Sequence, residues 1–291
     1  MSLAATADLV ASAAADGSAV LAFNVVTLEH AEGIAEGVER AGVAALLQIS
    51  ENTVLFHGGR MAPLVSACAR IAAQSPAPLA IHLDHFQDVT LITEAIDAAA
   101  ALGVSSIMVD AAHLPYDENV ERTHGFVELG HRAELWIEAE LGEVGGKGGA
   151  HDFGVRTDPE EAASFAKATG VDGLAVAVGS SHAMTTRDAE LDVELIRRLA
   201  AAVEAPLVLH GSSGVSDDQL RLATEAGMRK VNVGTALNVA YTGALRESLA
   251  ANPAASDPRR ALAAARTAIA DTVAELCRAV APRLAPSGGA R

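Results

Sequence analysis

The feature that most restricts the fold of this chain is the regular alternation of short apolar runs with longer amphipathic segments. Eight runs qualify as strands, because each is short, mostly apolar and followed by polar or glycine residues. They span residues 19–23, 44–49, 79–83, 106–109, 135–139, 173–178, 206–209 and 230–233. Strands that are apolar almost throughout fit a sheet that is buried on both faces, as in parallel α/β folds.

Helical segments fall between these runs. Residues 28–41 and 88–102 carry apolar side chains at helical spacing. Asp158 stands before a proline and two glutamates, and Ser216 stands before two aspartates, so both are good helix starts. The repeated strand–helix unit is compatible with a barrel or with a doubly wound sheet.

The length and the composition suit a single barrel domain. The chain has 291 residues, which is within the range of one (β/α)8 barrel. Aromatic residues make up only 3%, so the core must be built from Ala, Val, Leu and Ile. We therefore predict a TIM barrel over residues 1–291, with an additional helix over 258–283 and a loose tail over 285–291.

The charge and the cysteine content exclude several classes of protein. A formal net charge of −16 opposes binding to nucleic acid and to anionic membrane. No apolar run is long enough to span a membrane, and the N-terminus does not resemble a signal peptide. The two cysteines do not form a disulfide framework, so we expect a cytoplasmic protein.

Polar side chains follow every predicted strand, and in a barrel all these positions meet at one end, where the chemistry takes place. Residues placed at random would scatter over both ends and the helices. The polar residues at the strand ends are Asn24, Gln48, Ser50, His82, Asp84, His85, Asp110, Glu138, Glu140, Ser180, His182, His210 and Asn232. The sequence therefore predicts an active site at this end.

Three of these residues are histidines on different strand ends, namely His85, His182 and His210. Three imidazoles with an open fourth position form a catalytic zinc arrangement, although imidazole also suits cobalt, nickel and ferrous iron. A single histidine is more often a core or surface residue, but three beside several carboxylates favour a metal site. His82 fits a role in orienting a ligand equally well.

Asp84 directly precedes His85, and adjacent strand residues point to opposite faces. Both can reach one site only where the strand is ending. A carboxylate beside a metal is well placed for proton transfer, and the alternative is a carboxylate that orients a histidine. Residues 210–214 and 232–235 follow the last two strands, which is the usual phosphate corner of a barrel.

A glycine-rich segment covers residues 141–154. Its composition is also that of a flexible linker, but its position directly after a strand favours a lid over a site.

The ordered motifs resemble the class II ketose-bisphosphate aldolases, the family of fructose-bisphosphate and tagatose-bisphosphate aldolases. The resemblance covers roughly residues 5 to 280, and HLDH, ELG-x-x-GG and LHG-x-SG together are a specific set. The matching segments are AFNV, LQIS, IHLDH, EAELGEVGG, LAVAVGSSH, PLVLHGSSG, KVNVGT and DPRR.

The resemblance implies a set of roles for individual residues. It implies zinc on His85, His182 and His210, with Glu140 as a ligand in some states. It implies that Asp84 is the acid/base that serves the C4 oxygen of the sugar. Residues implied in substrate and phosphate binding are Asn24, Ser50, Gly211, Ser212, Ser213, Asn232, Val233, Gly234, Thr235 and Arg259.

Two of the implied sites involve a neighbouring subunit or a second metal ion. Ser50 meets the second phosphate together with Arg259, which reaches over from a neighbouring subunit, so the resemblance implies a homodimer or homotetramer. Main-chain carbonyls near Ala183 and Gly211 are implied to bind a monovalent cation, Na⁺ or K⁺.

The sequence departs from the family pattern at two places. The lid of the family carries a glutamate that moves the C3 proton, and this lid has none, so His151 or Asp152 is the candidate replacement. Ala183 stands where the family has glycine, and its methyl group is expected to crowd the phosphate or cation site.

The expected reaction is reversible cleavage of a ketose 1,6-bisphosphate to dihydroxyacetone phosphate and glyceraldehyde 3-phosphate, as in glycolysis. Fructose 1,6-bisphosphate is slightly preferred over tagatose 1,6-bisphosphate. Three alternatives stay open: another phosphorylated ketose or deoxy-sugar acid as substrate, a metal-dependent barrel hydrolase, and a non-catalytic sugar-phosphate-binding barrel.

Overall fold

The computed structural model describes residues 3–142, 156–180 and 187–280, and these residues form a closed parallel barrel. The eight strands pair in sequence order, and β1 pairs with β8 to close the ring. The strands are β1 (Val20–Asn24), β2 (Ala45–Ser50), β3 (Leu79–Phe86), β4 (Ser106–Val109), β5 (Trp136–Leu141), β6 (Gly173–Val176), β7 (Leu207–Leu209) and β8 (Met228–Val233). The (β/α)8 fold is confirmed, and the doubly wound alternative is excluded.

Helices surround the barrel, and several begin at the residues that the sequence indicates. Asp158 accepts hydrogen bonds from two main-chain N–H groups at the start of α7, and Ser216 caps α9 in the same way. The helices are α1 (Thr6–Ala15), α2 (Leu28–Ala41), α3 (Glu51–Phe56), α4 (Met61–Gln74), α5 (Val89–Leu102), α6 (Tyr116–Arg132), α7 (Pro159–Thr169), α8 (Val193–Ala202), α9 (Asp217–Ala226), α10 (Thr235–Ala251) and α11 (Arg259–Val280).

No helix in the described ranges is long and apolar enough to cross a membrane.

The predicted strand boundaries are wrong at two places that matter for the site. Strand β3 continues to Phe86 instead of ending at residue 83, and β5 continues to Leu141. The continuation of β3 contains a bulge, because the pairing with β4 shifts between Leu83 and Phe86. The polar residues after residue 83 therefore belong to the strand itself, and an extra residue there changes the direction of its side chains.

Alternation along the strands divides the barrel into layers. Leu21 and Phe23 point outward into the main core between strands and helices. Val20 and Ala22 point inward and pack with Trp136 and with smaller apolar side chains at the bottom of the barrel. Because successive strand side chains face opposite sides, the inward face of each strand continues upward at every second residue. The inward residues of the upper layers are polar.

The additional C-terminal helix α11 packs closely on α2 through two glycines. A methyl group on Gly33 would lie 2.7 Å from the carbonyl oxygen of Arg266, and one on Gly37 would lie 2.6 Å from that of Ala270. Backbone atoms cannot move aside as a flexible side chain can, so these positions admit only glycine at this helix spacing.

We expect Gly37→Ala to destabilise the protein by about 1–3 kcal/mol, because overpacking against a main-chain carbonyl outweighs the better helix propensity of alanine. Chemical denaturation measures the effect. Gly125→Ala in α6 is the matched control, since nothing lies within 4 Å of its added methyl group. The control is expected to gain up to about 1 kcal/mol. Equal stabilities for the two variants would contradict the close packing of α11.

Candidate active site

The polar strand ends converge on a cleft at the carboxyl end of the barrel, with a volume of about 410 Å³. That volume is within the roughly 300–1,000 Å³ of small-molecule sites. The cleft is lined by Asn24, Val26, Gln48, Ser50, Asn52, Thr53, Phe56, Asp84, His85, Gly211, Ser212, Ser213, Asn232, Gly234, Thr235 and Asn238. Most of the residues predicted from the sequence therefore surround one space.

Two histidines and three carboxylates lie together at one side of this cleft. Nδ1 of His85 is 3.9 Å from Oε2 of Glu140, and Nδ1 of His210 is 3.7 Å from the same oxygen. The two imidazole rings are 4.6 Å apart and nearly perpendicular. One donor atom each from Asp84, His85 and His210 lies within 4.8 Å of the others, and the same holds for His85, Asp110 and Glu140.

The bulge in β3 explains how Asp84 and His85 both reach this side. His85 has a φ of 53°, in the left-handed region that non-glycine residues rarely adopt. Such a conformation costs about 1–3 kcal/mol and persists only where the surroundings enforce it. The change in backbone direction turns one of the two adjacent side chains, so that both Asp84 and His85 line the cleft and neither points into the core between strands and helices.

Each of the two histidines is held by a carboxylate through one ring nitrogen. Nδ1 of His85 lies 2.9 Å from Oδ2 of Asp110, and Nε2 of His210 lies 2.9 Å from Oε1 of Glu138. A carboxylate only accepts hydrogen bonds, so each of these nitrogens carries the proton. The opposite nitrogens, Nε2 of His85 and Nδ1 of His210, are then the ones that could bind a metal, and a carboxylate on the other ring nitrogen is typical of histidine ligands.

This donor set fits a divalent transition metal. Imidazole nitrogen and carboxylate oxygen are the ligands that zinc prefers beside thiolate. The predicted third histidine, His182, and the predicted cation ligand Ala183 lie outside the described residues. The same applies to residues 143–155, which include most of the glycine-rich segment and His151 and Asp152.

Electrostatics keep Asp84 ionised although it is buried. Burial alone would raise the pKa of its carboxyl group, but the neighbouring His85, His210, His82 and Lys230 outweigh burial and hold the pKa below its ordinary value. Its Oδ1 also accepts a hydrogen bond of 3.3 Å from Nδ2 of Asn232. Asp84 is therefore able to accept a proton at the floor of the cleft.

The turn after β7 and the start of α10 give the cleft features that suit an anion. Gly211 adopts a left-handed conformation with φ 66°, and a short 3-10 turn, Ser212–Gly214, follows it. Helix α10 begins beside this turn at Thr235, and Gly234 and Thr235 both line the cleft. The N-terminus of a helix favours a nearby anion. Oγ of Ser213 accepts from the N–H of Ala236 at 3.1 Å, which joins the two segments.

The side chains of three predicted binding residues lie in different surroundings: one lines the cleft, one packs in the core and one is exposed away from the cleft. Ser50 lines the cleft and caps α3, where its Oγ accepts from the N–H of Thr53. The side chain of Val233 packs into the outer core, so only its main chain is available to a phosphate. Arg259 is exposed, pairs with Asp257 of its own chain and is not among the cleft residues, so its predicted role depends on a neighbouring subunit.

The sequence of the chain matches the family described as fructose-bisphosphate aldolase class-II over residues 4–282. The protein belongs to this family.

Solved structures agree with the assignment to the class II aldolases. The YdjI aldolase from Escherichia coli K12 is 28% identical, with a TM-score of 0.83 over 97% of this chain and 98% of that one. A putative fructose-1,6-biphosphate aldolase from Coccidioides immitis is 28% identical, with a TM-score of 0.83 over 94% and 95%. Fructose-bisphosphate aldolase from Campylobacter jejuni, at 20% identity and a TM-score of 0.80 over 96% and 95%, shows the shared fold.

Membership of the class II aldolases makes this protein a carbon–carbon lyase of a generally metal-dependent family. It also removes the barrel hydrolase from the alternatives. The sequence places Gln48, Asp110 and Glu138 at strand ends without a specific role and does not single out Lys230, and all four touch site residues. The signal that could have found Lys230 is its spacing of two residues from Asn232 on the same strand face.

Proposed function

We propose that this aldolase cleaves a ketose 1,6-bisphosphate reversibly to dihydroxyacetone phosphate and glyceraldehyde 3-phosphate, with fructose 1,6-bisphosphate slightly preferred over tagatose 1,6-bisphosphate. The observation that carries the proposal is that one cleft combines a candidate metal site with a turn suited to an anion. Asp84 and His85, which form a metal-binding group with His210, line this cleft, and so does the Gly211–Ser213 turn beside the start of α10. A phosphorylated ketose fits between a metal and an anion site.

The proposed ligands of the metal are His85, His182 and His210, with Glu140 joining in some states, and the proposed ion is Zn²⁺. When bound, the ion supplies a Lewis acid for the C2 ketone and for the negative charge that develops as the C3–C4 bond breaks. Asp84 removes the proton of the C4 hydroxyl, and the C4 aldehyde departs as the electron pair of the C3–C4 bond moves onto the C2–C3 unit.

The remaining residues would bind the two phosphates and so orient the substrate. Asn24, Asn232 and the main chain of residues 211–213 and 233–235 would hold the phosphate of the dihydroxyacetone half, and a monovalent cation near Ala183 and Gly211 would offset its charge. Ser50, with Arg259 of a neighbouring subunit, would meet the second phosphate. Such remote contacts orient the reacting carbons. The proton that C3 receives is assigned to His151 or Asp152 in the lid.

We also propose that the protein is a cytoplasmic homodimer or homotetramer that acts in carbohydrate metabolism, such as glycolysis. The need for Arg259 of a neighbouring subunit supports the oligomer. Cys68 and Cys277 are both buried and unbridged, as in a reducing compartment.

A second candidate substrate is a ketose that carries only one phosphate. The observation in its favour is that none of the described residues lining the cleft is a lysine or an arginine. The lining residues near Ser50 are Asn52, Thr53 and Phe56, and the side chain of Phe56 is largely exposed. Without Arg259 of a second subunit, this part of the cleft offers hydroxyl, amide and aromatic groups, which suit an uncharged sugar end.

A cleavage assay decides between these substrates. Purified protein loaded with zinc would be given fructose 1,6-bisphosphate, tagatose 1,6-bisphosphate and fructose 1-phosphate in parallel, and triose-phosphate release would be followed. We expect triose-phosphate release from a bisphosphate, and the sugar with the higher kcat/KM identifies the protein as a fructose-bisphosphate or a tagatose-bisphosphate aldolase. Faster release from the monophosphate would support the second candidate. No release from any of the three by fully metal-loaded protein would contradict the proposed substrate.

A further inference from the structure

The middle layer of the barrel contains a fully buried lysine that the proposed chemistry does not use. Lys230 lies on β8, two residues before Asn232, and its side chain has no solvent exposure. Its ammonium group lies 2.8 Å from Oε2 of Glu138, 2.6 Å from Oδ1 of Asn232 and 3.5 Å from Oε1 of Gln48. Burying a charge is costly unless it is paired and hydrogen-bonded, so this position requires an explanation.

We propose that Lys230 is a positioning residue that determines which atom each of three site side chains presents to the cleft. It acts through Glu138 on His210, through Asn232 on Asp84, and through Gln48 on Asn24. The inference rests on the proposed function, because it concerns the same site.

The first branch selects the metal-binding nitrogen of His210. The ammonium group of Lys230 lies 2.8 Å from Oε2 of Glu138, and an ion pair of this kind favours the carboxylate form. The other oxygen of Glu138 lies 2.9 Å from Nε2 of His210. An ionised carboxylate only accepts, so Nε2 must carry the proton and Nδ1 must face the cluster.

The second and third branches select the direction of two amides. An ammonium group only donates hydrogen bonds, so the oxygen of each amide must face Lys230 and the NH2 group must point away. Asn232 then donates to Oδ1 of Asp84 at 3.3 Å, and Gln48 donates to Oδ1 of Asn24 at 2.9 Å. Without the ammonium group, a flipped Asn232 would place two acceptors against each other.

The same contacts exclude a different use of this lysine. A lysine that forms a Schiff base must offer an uncharged amine to a carbonyl carbon. Lys230 donates hydrogen bonds to Asn232 and Gln48 and forms an ion pair with the carboxylate of Glu138. Its ammonium group is therefore committed to the interior of the barrel and does not attack the substrate.

The test compares Lys230→Met, Glu138→Gln and the double variant with wild type, and Lys167→Met on the exposed face of α7 is the matched control. We expect Lys230→Met to lower both Co²⁺ affinity and kcat by about 10–100-fold, as loss of a group that orients metal ligands does. Lys230→Met leaves the charge of Glu138 buried without its partner and should also lower the thermal stability. The double variant removes both buried charges, so its thermal stability is expected to return towards that of wild type while Co²⁺ affinity and kcat stay low. Recovery of thermal stability, Co²⁺ affinity and kcat together would mean that Lys230 only neutralises Glu138 and would overturn the proposal.

A measurement on the unaltered protein covers the case in which the variants do not fold. Nitrogen-15 NMR of histidine-labelled, metal-free wild type reports the protonated nitrogen of each ring, and the His210 signal is identified by its loss in His210→Gln. Protonation of His210 on Nε2 is expected, and protonation on Nδ1 would refute the inference. Cobalt binding and this spectrum need no substrate. Wild type that binds cobalt but cleaves no sugar would therefore count against the proposed function alone.

Discussion

Replacement of Asp84 by asparagine is expected to lower kcat by about 10²–10⁴-fold, the usual contribution of a general acid or base. Asparagine keeps the shape of the side chain, which is 2% exposed at the floor of the cleft, so the fold should survive. The amide cannot take the C4 hydroxyl proton in cleavage or return it in condensation. Steady-state cleavage kinetics on the best substrate, with metal content determined in parallel, measure the effect.

The control for this variant is Asp97→Asn on α5, which removes the same charge from an exposed position. It should retain wild-type kinetics. The expected signature of Asp84→Asn is a fall in kcat with bound metal close to stoichiometric. Activity within tenfold of wild type would show that Asp84 does not transfer the proton. Loss of metal together with activity would instead assign Asp84 to the ligand set.

Removal of the divalent ion is expected to abolish cleavage, and re-added zinc should restore it. Alanine at His85 or His210 should weaken zinc binding by more than about 100-fold, since even groups that only orient a ligand cost about 10–100-fold. His182→Ala should behave in the same way if it supplies the third ligand. Competition with a chelator of known affinity measures zinc binding without any substrate.

His124→Ala serves as the control, because His124 lies on the surface, with its Nδ1 3.3 Å from the carbonyl of Thr169. It should bind zinc as wild type does. Stoichiometric zinc in His210→Ala at wild-type affinity would place the metal elsewhere. Cleavage that persists at full rate in thoroughly chelated protein would remove the metal from the mechanism altogether.

Most of what the sequence predicts about the site follows from one expectation, that polar residues at the carboxyl ends of the strands meet at one end of a barrel. Asn24, Ser50, Asp84, His85 and Asn232 were expected at one end of a barrel, and all five line one cleft. Parallel strands in a closed ring have no alternative, because their carboxyl ends share one rim. The prediction therefore did not depend on knowing the order or spacing of the contacts.

The prediction was weaker where a contact depends on the exact path of a strand. Strand β3 was expected to end at residue 83, and a bulge with a left-handed His85 extends it instead. Histidine adopts positive φ more often than most non-glycine residues but still only in a small fraction of cases, so its presence does not indicate this conformation. The surrounding barrel enforces it, and that influence is not local.

The sequence by itself determined the eightfold strand–helix alternation and the polar strand ends, because periodicity and strand direction are local properties. Only the tertiary structure decided that the sheet closes into a barrel and which polar residues meet across the ring. Lys230 and Glu138 are 92 positions apart, and their 2.8 Å contact exists because the closed barrel brings β8 and β5 to face each other across its interior. A distance across a barrel depends on closure and register, which no single segment encodes.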